Sequence, residues 1–170
     1  MQTTSIRRAV LSVCILFTLV SAASAQSRDP YFTDFSANYD FIYHETDATS
    51  NAGAHFDVAS TFKRTPPFIG PVGEVGFNHF DGGTVVDVMG GLRLRANTDY
   101  WILPYAQFLV GLYHCCGLND FALQGGGGLD FRTASPNVRI RIQFDFRHVF
   151  DTEGFNGERV SAGIVLPLNK

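Results

Sequence analysis

Residues 137–150, Asn-Val-Arg-Ile-Arg-Ile-Gln-Phe-Asp-Phe-Arg-His-Val-Phe, alternate with a period of two. Val138, Ile140, Ile142, Phe144 and Phe146 fall on one side, and Arg139, Arg141, Gln143, Asp145 and Arg147 on the other. That period belongs to a strand, because a helix would scatter the arginines around its circumference. The strand has one wholly apolar face and one highly charged face. The fold depends on which solvent each face meets.

Seven further segments alternate in the same way. Phe35–His44 sets Phe35, Ala37, Tyr39, Phe41 and Tyr43 against Asn38 and Asp40. Ala54–Lys63 opposes Phe56, Val58 and Phe62 to His55, Asp57, Thr61 and Lys63. Ile69–Phe80 is weaker, with Val75 and Phe77 against Glu74 and Asn78. Thr84–Ala96 sets Val86, Val88, Leu92 and Leu94 against Asp87, Arg93 and Arg95. Trp101–His114 places Ala106, Phe108, Val110 and Leu112 opposite Tyr105, Gln107, Gly111 and Tyr113. Phe121–Arg132 opposes Leu123, Leu129 and Phe131 to Gln124, Asp130 and Arg132, and Arg159–Leu168 opposes Val160, Ala162, Ile164, Leu166 and Leu168 to Arg159, Ser161 and Gly163. Lengths near ten suit tilted strands that cross a bilayer.

The connections sort onto two rims. Glu45–Gly53 and Asp151–Glu158 read as longer polar loops on one rim, together with the turn-sized Phe80–Gly83. Residues 64–68, 97–100 and 133–137 read as short turns on the other. An up-and-down barrel of the outer membrane has its long loops outside and short turns inside.

The N-terminus changes the setting. Arg7 and Arg8, an apolar run from Ala9 to Val20 and Ala23-Ser24-Ala25 have the order of a secretory signal peptide with an A-x-A cleavage site. Residues 1–25 are thus expected to be removed, leaving residues 26–170 as one domain. The leader takes two arginines and no acids with it, so eleven basic residues face sixteen acids. That charge carries no nucleic-acid footprint. Aromatics at 14 % argue against disorder, and no second apolar run is long enough for a spanning helix.

Two closed eight-stranded architectures fit the alternation: an outer-membrane barrel, and a secreted lipocalin-like barrel that binds a small apolar ligand. A lipocalin sheds its charges to water. A membrane barrel must enclose them, because Arg at mid-bilayer costs about 2–4 kcal/mol. Charge-free apolar faces, glycines at polar-face positions (Gly91, Gly111, Gly126, Gly128, Gly163) and aromatics near segment ends (Phe35, Tyr43, Phe62, Tyr100, Trp101, Phe121, Phe131, Phe150) favour the membrane barrel.

A leader, eight alternating strands and Pro104-Tyr105 running into Ala-Gln-Phe-Leu-Val-Gly-Leu-Tyr together resemble the small outer-membrane β-barrel proteins of the OmpA/OmpX-like kind. The last strand, Ser161-Ala-Gly-Ile-Val-Leu-Pro-Leu168, is similar to the C-terminal signal read by the barrel-assembly machinery. It departs from that signal in having Leu166 and Leu168 where aromatics are usual, and in running on to Asn169-Lys170. The resemblance spans the mature chain and implies fold and location more than activity.

In such a barrel Asp40, Asp57, Glu74, Asp87, Arg93, Arg95, Gln107, Gln124, Asp130, Arg132, Arg139, Arg141, Gln143, Asp145 and Arg147 point inward as a polar network. Eight strands enclose just enough space for side chains, so these groups interlock as a plug. Charges in so dry a space must pair. The rival reading is a narrow, anion-preferring path through the arginines. The alternation also makes Ile142→Arg block assembly and Gln143→Ala tolerated.

Catalytic signals are absent from the sequence. The lipid A deacylases resemble this chain in a late-strand histidine after an aromatic run, but in that family a serine follows two residues later. Here His148 is followed by Val149 and Phe150. No G-x-S-x-G elbow occurs, and Gly125–Gly128 is not followed by Gly-Lys-Ser/Thr. Cys115 and Cys116 are adjacent in an outer connection and, in an oxidising compartment, are expected to form a vicinal disulfide or an intermolecular bridge rather than stay free thiols. A metal there would find only Asp120 nearby, and His44, His55, His79 and His148 fall in separate segments.

The expected protein is therefore a monomeric, all-β, eight-stranded antiparallel up-and-down transmembrane barrel, exported through the Sec pathway to the outer membrane. It needs no cofactor, and its partners are membrane lipid, lipopolysaccharide and the assembly machinery. Its role is structural or one of surface interaction, including adhesion through outer loops, rather than enzymatic. A lipid-modifying enzyme is the remaining alternative.

Overall fold

The computed structural model describes residues 31–44, 49–62, 68–80, 83–96, 100–115, 117–150 and 154–168. The proposed leader lies outside the described residues, as do Lys63 and Cys116. Eight strands follow one another: β1 (Tyr31–His44), β2 (Thr49–Phe62), β3 (Phe68–Phe80), β4 (Gly83–Arg95), β5 (Ile102–Cys115), β6 (Leu118–Arg132), β7 (Arg139–Phe150) and β8 (Phe155–Pro167). Each pairs antiparallel with the next, and β1 pairs with β8, so the sheet closes into a barrel in chain order. Closure leaves no strand edge unpaired.

The register fixes the barrel's shape. Stepping across partners from Ser36 leads through Asp57, Glu74, Met89, Gly111 and Ala122 to Val149. Stepping the other way leads through Val165 to Arg139. A full circuit therefore returns ten residues displaced along β7, and strands must tilt to accommodate that stagger.

Two expectations about the connections do not hold. Thr49–Gly53 is strand, not loop, with Thr49 opposite His44, and Phe155–Glu158 belongs to β8. The described strands are joined at this far end by residues 45–48, 81–82, 116–117 and 151–154. At the near end, where β1 begins and β8 ends, they are joined by 63–67, 96–101 and 133–138. The asymmetry thus runs opposite to the expected one. Beyond the apolar belt an outward side chain meets water whether or not its backbone is laddered, so Asn156 reads as loop while the hydrogen bonding continues. Gly117 (φ 86°) and Gly154 (φ 63°) sit in these tight connections with positive φ, which glycine adopts without strain.

Candidate functional site

The two faces of the wall are opposite in polarity. On β7, Ile140, Ile142 and Phe144 are each 50 % exposed outward, while Arg141 and Asp145 are 0 % exposed inward. Among the described residues Glu158 is the one ionisable Asp, Glu, Lys or Arg on the outward alternation. On β5 the outward positions run Ile102, Pro104, Ala106, Phe108, Val110 and Leu112 before His114. Ten steps of strand at a tilt near 45° rise roughly 24 Å, the height of an outer-membrane apolar band. Tyr100 and Trp101 stand exposed at the near end, with Trp101 packed on Phe131 at 5.5 Å between ring centroids.

Inside, the lower half is a compact ion network. Arg141 grips Asp130 with both Nε (2.7 Å) and Nη2 (3.1 Å), and its Nη1 donates to Asp57 (2.8 Å) and Ser36 (3.0 Å). Arg93 Nη1 donates to the other Asp57 oxygen at 2.9 Å, while its Nε and Nη2 share Gln107 Oε1. Arg95 bridges Asp34 (2.6 Å) and Asp130 (3.1 Å). The guanidiniums of Arg93 and Arg141 both lie over the Tyr105 ring, 4.7 and 4.6 Å from its centroid. Three arginines and three aspartates balance.

The upper half is richer in acid. Arg159 holds Asp145 through Nε (3.0 Å) and Nη2 (2.7 Å), and its Nη1 lies 2.8 Å from Glu74. Arg147 clasps Asp87 at 2.9 and 3.2 Å and Gln124 Oε1 at 2.7 and 3.0 Å. His55 Nδ1 meets Asp40 at 2.6 Å, with Asp57 and Glu74 near 4 Å from its Nε2. Gln143 ties the halves together: it accepts from the Tyr105 hydroxyl and donates to Asp145 at 2.7 Å. Gln107 also donates to Asp145, at 3.3 Å.

Glycine makes room for this packing. A Cβ at Gly128 would meet the Ile142 carbonyl and stand 2.7 Å from the Tyr105 hydroxyl. One at Gly125, three residues away on the outward face, would meet nothing within 4 Å. The lumen is not polar throughout. Ala59, Val72, Val85, Met89, Leu109, Tyr113, Ala122 and Val149 form a buried apolar cluster along one side, with Cys115 packed against it. The expected Cys115–Cys116 bridge involves a residue outside the described ones.

Most of the expected network residues meet inside, but two lie at its edge. Arg132 is exposed at the end of β6. Arg139 is half-buried at the near end, over the Phe32 ring that Arg95 also covers. Asp34, Ser36, His55, Tyr105 and Arg159 belong to the network and were not among the expected members. Asp34 shares the parity of Ser36, Asn38 and Asp40, which is the signal that could have found it. Among the described residues, five arginines and seven carboxylates are buried. They pair so closely that the lumen reads as a plug, and no group of His, Cys, Asp and Glu there is arranged to hold a metal.

No family model and no curated protein sequence matches the chain. Solved structures do. Neisserial surface protein A (NspA) superposes with a TM-score of 0.57 at 11 % identity, covering 80 % of this chain and 96 % of that one. The chain has the fold of the small, OmpA/OmpX-like outer-membrane barrels. Two further outer-membrane barrels agree. The outer membrane enzyme PagL gives 0.51 at 11 % identity, over 78 % of this chain and 99 % of that one. The N-terminal β-barrel domain of Pseudomonas aeruginosa OprF gives 0.50 at 10 %, over 78 % and 97 %. At such identities the likeness concerns the fold. In this barrel, His148 Nδ1 lies 2.8 Å from Asn156 Oδ1 and its ring stands edge-on to Phe150; among the described residues no serine hydrogen-bonds to it.

Proposed function

We propose that the protein is a monomeric outer-membrane barrel that contributes to envelope integrity, exported by the Sec pathway as a precursor whose first 25 residues are removed. The inversion of the wall carries this reading: apolar side chains half-exposed outward, ion-paired arginines and carboxylates buried inward. In water that arrangement would leave a wide apolar surface unsatisfied; in lipid each face has its proper solvent. Lipid and lipopolysaccharide surround it, and the assembly machinery inserts it. The far-end connections of two to four residues favour a wall-like role over adhesion by projecting loops.

The test is extraction and gel migration. The protein should require detergent for release and migrate differently before and after boiling, with Gln26 as its first residue. Recovery from the periplasm without detergent would overturn the placement in favour of a secreted lipocalin-like carrier. The fold shared with the enzyme PagL keeps a lipid-modifying reading in view. Altered lipid A masses in cells expressing the protein would favour that reading over the structural one.

A further inference from the structure

Three hairpins repeat one device at the far end of the barrel. His79 on β3, His114 on β5 and His148 on β7 follow one another at intervals of 35 and 34 residues. Each occupies the outward alternation two residues beyond an exposed apolar side chain, Phe77, Leu112 or Phe146. Each faces a polar residue directly across the hairpin: Thr84, Asn119 and Asn156 respectively. In every case the ring Nδ1 lies within hydrogen-bonding distance of that partner's side-chain oxygen, at 3.3, 2.8 and 2.8 Å. In the first hairpin His44 is opposite Thr49, 35 residues before His79, but Tyr43 holds the outward position there.

An amide oxygen can only accept, so at His114 and His148 the ring donates from Nδ1. That hydrogen bond fixes the ring and leaves Nε2 as its free polar edge. The three rings stand on alternate strands, and two strand spacings are about 10 Å, too far apart for one metal ion to join them. On β3 and β5 they follow the exposed apolar residues Phe77 and Leu112, at the headgroup depth of the proposed placement, while on β7 the exposed Phe150 lies beyond His148. We propose that this collar binds the phosphate groups of outer-leaflet lipid. A phosphate oxygen at Nε2 accepts from the second N–H of an imidazolium whose first N–H already donates into the barrel wall, the added proton coming from water. Both ring donors are then satisfied, one of them by a charge-assisted bond. Glu158, on the outward face of β8 two residues from Asn156, is the acid beside this collar among the described outward positions, so His79 and His114 are its less opposed members.

The inference rests on the outer-membrane placement proposed above, and one experiment separates the two. The protein is placed in phosphatidylcholine nanodiscs with and without bisphosphorylated lipid A, and imidazole nitrogen shifts and co-purified lipid A are measured. Lipid A should shift the Nε2 resonances of His79, His114 and His148 and leave those of the buried His55 unchanged. The triple variant His79→Asn, His114→Asn, His148→Asn should keep its heat-modifiable migration and retain severalfold less lipid A. Identical ring shifts in both nanodiscs, or equal retention by the variant, would overturn the collar. The same shift produced by inorganic phosphate alone would overturn the lipid assignment. Failure to insert into any nanodisc would overturn the placement beneath it.

Discussion

Arg93 Nη1 and Asp57 Oδ1 meet at 2.9 Å, with neither side chain exposed. The same carboxylate receives Arg141 at 2.8 Å and the Ser36 hydroxyl at 2.5 Å. Asp57→Ala therefore takes a carboxylate from two buried guanidiniums at once and leaves three arginines to two aspartates. Loss of one partner of a buried pair costs about 3–5 kcal/mol, so urea unfolding in lipid vesicles should show a drop of that order. Adding Arg141→Met should recover part of it, because the second change restores a balance of two arginines and two aspartates.

Gln143 reverses an expectation drawn from alternation alone. A polar residue on the inner face looked dispensable, but Gln143 accepts from the Tyr105 hydroxyl and donates to Asp145. Gln143→Ala leaves both groups short of a partner in a dry space, at about 1–3 kcal/mol. Its unfolding midpoint should fall, whereas equal stability would show that water replaces the amide.

On the opposite face of the same strand, Ile142 is half-exposed to the proposed lipid. Ile142→Arg should cost about 2–4 kcal/mol near mid-bilayer and lower the yield of folded protein in membrane fractions. Ile142→Val should not.

Two glycines three residues apart should respond in opposite ways. Gly128→Ala pushes a methyl against the Ile142 carbonyl and the Tyr105 hydroxyl, and overpacking of this kind costs about 1–3 kcal/mol. Gly125→Ala meets open space and should leave the unfolding midpoint unchanged or slightly raised.

The plugged lumen predicts electrical silence. Purified protein in planar bilayers should give no discrete conductance steps. Anion-selective steps that vanish in Arg141→Ala would instead support a path through the arginine layer.

Alternation along β7 was enough to separate outward from inward residues, because a period of two survives in any closed barrel. What it could not show is which carboxylate each arginine meets. Asp57 and Arg141 are 84 residues apart and lie together because of the ten-residue stagger of the circuit, a property of the whole sheet. The strand ends were hidden for a different reason. Asn156 lies beyond the apolar band, where strand and loop have the same polarity. Met89, Leu109 and Val149 broke the alternation because one side of the lumen is itself apolar. The collar histidines looked scattered until the hairpin register aligned them.

The Arg141 side chain joins β7 to Ser36 on β1, 105 residues earlier, and to Asp57 on β2. Neither contact can form while the sheet is open. A partly assembled sheet would therefore present its charged face to lipid with the guanidinium of Arg141 still lacking its carboxylate from β2. In the proposed membrane setting such an intermediate is penalised, so docking of β8 onto β1 and neutralisation of the interior should occur as one cooperative event. The polar interior would then act as a latch: once shut, it makes reopening at the β1–β8 seam slow.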